Sequence, residues 1–256
     1  MELRTIGNIC LRDKYNIKYV ISKIEYIEKE NGDYKYLFYP NYSVIDMLNC
    51  DIFQGIPGID LDKRKNCYER TNMTPVFISE RSPGKNRVDL HELLEQVNMT
   101  SLNRLEWLIR TNTQYFGDNM YVEAFEERKI INIDSMFDLS RRTEVLIFRL
   151  LEIICSGNDL KSGEVIINDS NRKYYYDLLL PMFMNLYQIR KSLQREGIEK
   201  AKANNIYKGR TRKNVNPLAF NEVVTKYNNK EITAEEATNE LNISKSTFYR
   251  RLKEKK

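Results

Sequence analysis

The sequence predicts an α+β chain: a mixed α/β body, then a long helix, then a small three-helix domain of the helix-turn-helix type. Three observations lead there. Strand and helix signals alternate, without an internal repeat, through residues 1–172. Apolar residues then recur at helical spacing over 173–205. Residues 216–256 carry two capping signals on either side of a short turn, preceded at 206–215 by a basic arm.

Within the body, Lys23–Lys29 and Tyr34–Tyr39 flank Asn31-Gly32-Asp33. Asn followed by Gly suits a tight turn, so this segment reads as a hairpin. Gly55-Ile56-Pro57-Gly58 reads as a turn. Thr74–Ser79 reads as a short buried strand, ended by Ser82-Pro83-Gly84. Val88–Val97 is an amphipathic helix with Leu90, Leu93, Leu94 and Val97 on one face. The next helix takes Ser101 as its N-cap and runs through Leu105, Trp107, Leu108 and Ile109. Tyr121–Ile133 reads mainly as strand. Arg142–Cys155 is a mostly buried helix closed by Ser156-Gly157, and Glu164–Asn168 is one more short strand.

From about Arg172, Leu179, Phe183, Leu186, Ile189, Leu193, Ile198 and Ala201 recur at intervals of three to five, one face of a long helix that ends near Asn204-Asn205. Pro181 is expected to kink it or to reset its first turn. Such a helix packs on its own body or pairs with a second chain, and both remain open.

Composition narrows the function classes. Hydrophobic content of 41% and charged content of 30% exclude wholesale disorder in 256 residues. Cys10, Cys50, Cys67 and Cys155 lie far apart with no CxxC pair, which argues against a disulfide scaffold and a zinc site. His91, the one histidine, reads as an ordinary helix-surface residue. No cofactor is expected. Met1–Lys14 lacks an apolar core of signal-peptide length. The longest apolar stretch, Val145–Cys155, contains Arg149 and Glu152 and is too short to span a bilayer. The expected location is cytoplasmic, away from membrane.

Charge is unevenly spread. Residues 190–256 hold 17 Lys/Arg against 8 Asp/Glu, or +9, so the chain's total of +5 leaves −4 on the remaining 189 residues. That asymmetry marks a nucleic-acid-binding tail on a near-neutral body. The arm contributes Lys208, Gly209, Arg210, Arg212 and Lys213. Arginine suits the concentrated negative potential of a narrow minor groove, and glycine lets the backbone approach.

After the arm, Asn216-Pro217 opens a helix to Tyr227, with Leu218, Phe220, Val223, Val224 and Tyr227 available for a core. Asn228-Asn229-Lys230 breaks it. Thr233 caps the second helix, with Glu236 completing a capping box. Ala234, Ala237 and Leu241 point inward, Asn242 takes a left-handed turn position, and Ile243 plugs the corner. Ser244 caps the third helix, on which Phe248 and Leu252 face inward. Lys245, Ser246, Tyr249 and Arg250 fall on the opposite side, with Thr247 and Arg251 at the flanks. A recognition helix is built this way: the outer residues suit base edges and the flanks suit phosphates. The alternative is a three-helix protein-interaction domain with a basic surface.

Arg195–Lys202, Tyr207-Lys208-Gly209-Arg210, Glu231–Ala237, Leu241–Ser244 and Ser246–Arg250 together resemble the C-terminal third of resolvase/invertase-type serine recombinases. The resemblance covers roughly residues 183–254. It implies dimerisation through the long helix, an arm following the minor groove and a helix-turn-helix reading the major groove of double-stranded DNA. The family's catalytic motif is not found. Ser22 lacks the Arg-Val-Ser context of the nucleophile. Phe77–Arg81 with Gly84-Lys85 only echoes the strand that delivers the family's arginines. Leu193 stands where a catalytic arginine is expected, with Arg190 and Arg195 one or two residues off. The expectation is a sequence-specific, homodimeric DNA-binding regulator or accessory factor of a mobile element, without catalytic residues. A divergent active recombinase is the alternative. A metal-dependent nuclease using Asp60, Asp62 or Asp134 is a third reading, with solvated surface acids preferred.

Overall fold

The structure, a computed structural model, describes residues 2–204, 206 and 214–254. The chain divides into two compact units, residues 1–191 and 192–256. The first part of the long helix, to residue 191, belongs to the first unit.

In the first unit β1 (Leu3–Arg12) and β2 (Lys18–Glu28) pair antiparallel. Asp13 closes their turn by accepting the Tyr15 and Ile17 backbone N–H groups at 2.9 Å each, and Asn16 takes a φ of 65°. β3 (Tyr34–Pro40) returns against β2 through Asn31-Gly32-Asp33, as the turn residues predict, with Gly32 at φ 84°. β1 has no counterpart in the sequence reading. Gly7 and Asn8 interrupt its apolar pattern, and residues 7–11 are buried whichever face they occupy.

After α1 (Tyr42–Ile45), β4 (Tyr68–Thr71) adds to β3 at the sheet edge. The strand expected at Thr74–Ser79 is instead a helical turn, α2 (Val76–Ser79). Pro75 stands at its N-cap with extended backbone, φ −60° and ψ 150°. Phe77 and Ile78 are buried from this turn; an apolar run this short has no period that separates helix from strand. α3 (Leu90–Gln96) lies where expected and buries Leu94. α4 (Arg104–Thr111) is capped by Asn103, not by Ser101. The Asn103 carbonyl oxygen accepts from the Leu105 and Glu106 N–H groups at 3.1 Å each, while its amide donates to the Thr5 hydroxyl at 2.8 Å. The same residue thus caps the helix and ties it to β1.

β5 (Met120–Ala124) returns to pair antiparallel with β1, giving the sheet order β4-β3-β2-β1-β5. Tyr121–Ile133 is accordingly not one strand. It breaks at 125–129, and β6 (Ile130–Ile133) starts a second sheet. α5 (Thr143–Cys155) follows. β7 (Asp159–Ser162) then pairs parallel with β6, and β8 (Val165–Ile167) antiparallel with β7. α6 (Arg172–Ala203) is 32 residues long and continues through Pro181.

One face of the main sheet builds the core. Ile9, Leu11, Tyr19, Ile24, Phe38 and Val122 pack with Leu105 of α4, Leu151 and Ile154 of α5, and Tyr176 and Phe183 of α6. Burying each such side chain stabilises the fold by about 1.5–3 kcal/mol. α6 is held by an edge contact of Tyr15 on Phe183, ring centres 6.0 Å apart, and by the Tyr19 and Tyr176 hydroxyls at 3.2 Å.

The second unit contains α7 (Pro217–Asn228), α8 (Ala234–Glu240) and α9 (Lys245–Glu254). Its core is Val215, Phe220, Val223, Ala237 and Phe248, with Leu241 and Ile243 packed against it. Among the described residues no helix is long and apolar enough to cross a membrane.

Candidate nucleic-acid interface

Three capping devices set the geometry of the second unit. The Asn216 side chain accepts from Leu218 N–H at 2.9 Å, with Pro217 in the first turn, where its missing N–H is not needed. Thr233 and Glu236 form the expected capping box: Thr233 N–H donates to Glu236 at 2.7 Å, and Glu236 N–H donates to the Thr233 hydroxyl at 3.3 Å. These Thr233 bonds lower the Glu236 pKa. At the start of α9, Ser244 Oγ accepts from Thr247 N–H at 3.4 Å, a long bond, and lies 2.9 Å from the Thr247 hydroxyl and 3.1 Å from that of Ser246.

The turn from α8 to α9 is as the sequence predicts. Asn242 adopts φ 49°, and Ile243 N–H donates to Thr238 O at 3.0 Å. Ala237 is fully buried; a larger side chain there would hold the helices apart. Phe248 is fully buried and meets Phe220 and Tyr227 edge-on, with ring centres 5.9 and 5.4 Å away.

Burying Phe248 turns the opposite side of α9 outward. Lys245, Ser246, Tyr249 and Arg250 are exposed, and Thr247 and Arg251 are half-buried. No ion pair to Arg250 occurs among the described residues. Lys245 is held 3.3 Å from Glu235 of α8. Tyr249 does not project freely. Its interaction with Tyr227 raises the Tyr227 pKa, and its ring lies 5.7 Å from Phe248. The outward face therefore presents one open arginine beside a lysine and a tyrosine restrained by neighbouring helices.

One expectation of the core needs correction. Leu218 is 72% exposed and takes no part in the core. Val215 takes that place, buried beside Phe220. Its signal was present in the sequence, since an apolar residue before the N-cap and another five positions later form a hydrophobic staple. The holding roles of Tyr227 and Glu235 had no sequence signal, because each pairs with a residue of another helix. The arm residues Lys208, Gly209, Arg210, Arg212 and Lys213 lie outside the described residues.

Ser22 is fully buried and donates to the Lys23 carbonyl at 2.9 Å. Arg81 is sandwiched between the Phe77 and Tyr115 rings, 4.3 Å from each centre, and paired with Asp118. Arg190 pairs with Glu144 at 3.0 Å. His91 is exposed, 3.4 Å from Glu95. Asp60 pairs with Lys63 at 3.0 Å, and Asp62 and Asp134 are exposed. Among the described residues no group of three or more His, Cys, Asp or Glu side chains could hold a metal ion.

In comparisons with known proteins, the chain matches no family model and no curated protein sequence.

Proposed function

We propose that this chain is a sequence-specific double-stranded DNA-binding protein whose reading head is of the resolvase/invertase helix-turn-helix type, acting as a non-catalytic regulator or accessory factor. The observation that carries this reading is the outward face of α9, where exposed Ser246 and Arg250 stand opposite the buried Phe248 and exposed Lys245 and Tyr249 flank them. The width of a helix fits the major groove, and these side chains can donate to base edges and phosphates. The +9 balance of residues 190–256 supplies the long-range attraction, and Arg210 and Arg212 of the arm suit the minor groove.

The protein acts as a homodimer through α6. Leu178, Met182, Ile189 and Leu193 are 49%, 47%, 49% and 61% exposed. At 3.6 residues per turn they fall within about 60° of one another, away from the side that buries Tyr176 and Phe183. Met182, Ile189 and Leu193 fit the four-three spacing of a coiled-coil seam whose remaining position, Leu186, packs on the body core. A two-fold pair of reading heads then meets paired half-sites.

The test is selection of bound duplexes from a random pool by the full-length protein. A two-fold-related consensus is expected. A pool that stays random after repeated rounds contradicts the reading.

A further inference from the structure

The first unit contains a polar cleft of about 370 Å3, in the size range of small-molecule sites. Its floor is a row across four strands. Glu123, Asn8, Lys23 and Tyr39 are register partners in turn, so they share one face of the main sheet, opposite the face that carries Leu11 and Phe38 into the core. The walls are the 125–129 segment leaving β5 and the 156–158 turn after α5. Gly157 has φ +79°, and a Cβ there would stand 2.5 Å from the Asn41 amide nitrogen, so this wall requires glycine.

The floor is charged and held in place. Glu25, its side chain 2% exposed, pairs with Arg4 at 2.8 Å and Lys23 at 2.5 Å. The Lys23 ammonium also stands 4.6 Å from the Tyr39 ring centre and 5.4 Å from that of Phe125. Lys18 pairs with Glu123 at 2.9 Å. Asn8 is buried and donates to the Glu126 carbonyl at 3.3 Å. Withdrawing ions from water is costly, and a sheet face that only met solvent would need no such arrangement. Ordered, partly desolvated charges of this kind concentrate at functional sites.

The charges are also separated. Among the floor residues that line the cleft, Lys18 and Lys23 oppose Glu123, leaving one positive charge, while Glu25, outside the lining, is shared between Lys23 and Arg4. At the rim the exposed Glu126 and Glu127 oppose Lys129, leaving one negative charge. Arg128 and Arg172 balance Asp159 and Asp169.

We propose that this cleft binds a small zwitterion with one carboxylate and one ammonium, of free amino acid to dipeptide size. The carboxylate meets Lys23, Lys18 and the Asn8 amide, the ammonium meets Glu126 and Glu127, and the side chain lies on Tyr39 and Phe125.

The test is calorimetric titration of the full-length protein with each standard amino acid and a set of dipeptides at up to about 10 mM. At least one is expected to bind with Kd of about 1 mM or tighter, and the tighter set tells a free amino acid from a peptide. N-acetylation or amidation of that ligand each removes one charge and weakens binding about tenfold. Lys23→Gln has a similar effect, and Glu127→Gln weakens binding about threefold. Glu127 is exposed, so its variant keeps the wild-type melting temperature and decides the matter alone if Lys23→Gln fails to fold. Three results overturn the proposal: no zwitterion binds, the N-acetyl form binds as well as its parent, or Glu127→Gln leaves the affinity unchanged.

Discussion

Arg172 has the largest fully buried side chain among the described residues. Its guanidinium donates to the carbonyls of Ile154, Gly157 and Asn158 at 2.9, 3.1 and 2.7 Å, and to Asp159 and Asp169 at 2.9 and 3.3 Å. Ile154 lies in the last turn of α5, where carbonyls lack intrahelical partners and the helix dipole favours a cation. Burial pushes the Arg172 pKa down, against the pull of Asp169 and Asp159. Ile154 O also accepts from Gly157 N–H at 3.1 Å, and Asp159 and Asp169 also pair with Arg128. Arg172→Met therefore leaves the Gly157 and Asn158 carbonyls without this donor and should lower stability by about 3–5 kcal/mol in urea unfolding. A loss under about 1 kcal/mol would show that the carbonyls find other partners. Glu25 gives a pH signature. Burial alone would raise its pKa, but the bonds from Lys23 and Arg4 outweigh it and hold the carboxyl below its ordinary 4.5. A depressed carboxyl contributes stability above its unfolded pKa and loses that contribution as pH falls through its folded value. Unfolding free energy should therefore drop as pH falls below about 4.5, with a shallower drop in Glu25→Gln.

At the scale of the element, local signals made the hairpin, α5, α7, the capping box and the Asn242 turn legible, because each is written in neighbouring residues. Asn103 was missed as the cap of α4 because Ser101, two residues earlier, has equal cap chemistry. Its bond to Thr5 comes from a strand distant in sequence. Two predictions belong here. Thr233→Ala removes one side of the capping box and should cost about 1 kcal/mol of stability in the second unit. That loss is checked by the thermal midpoint, with Thr233→Ser nearly neutral. Leu193→Asp places a charge on the exposed stripe of α6. Sedimentation should show a dimer for the wild type and a monomer for the variant, and a wild-type monomer both free and on DNA would remove the α6 seam.

For the whole molecule, the sequence conveyed the α+β character and the change of pattern near residue 172, but not the topology. β5 joins the sheet by pairing with β1, more than a hundred residues earlier, and no local pattern encodes that register. The outward set on α9 was legible from the spacing around Phe248, whereas the holding of Lys245 and Tyr249 was not. Charge asymmetry leads to a salt-dependent interaction. Arg210→Ala or Arg212→Ala should weaken selected and unrelated duplexes alike and flatten the logarithmic salt slope by roughly one for each phosphate the variant no longer neutralises. The most direct measurement is the affinity of full-length wild type and Arg250→Ala for the selected duplex and for an unrelated one at matched salt. Arg250→Ala should lose about 1–3 kcal/mol on the selected duplex and little on the unrelated one. Equal losses on both, or no wild-type preference between them, would contradict the assignment of α9 as the element that reads DNA.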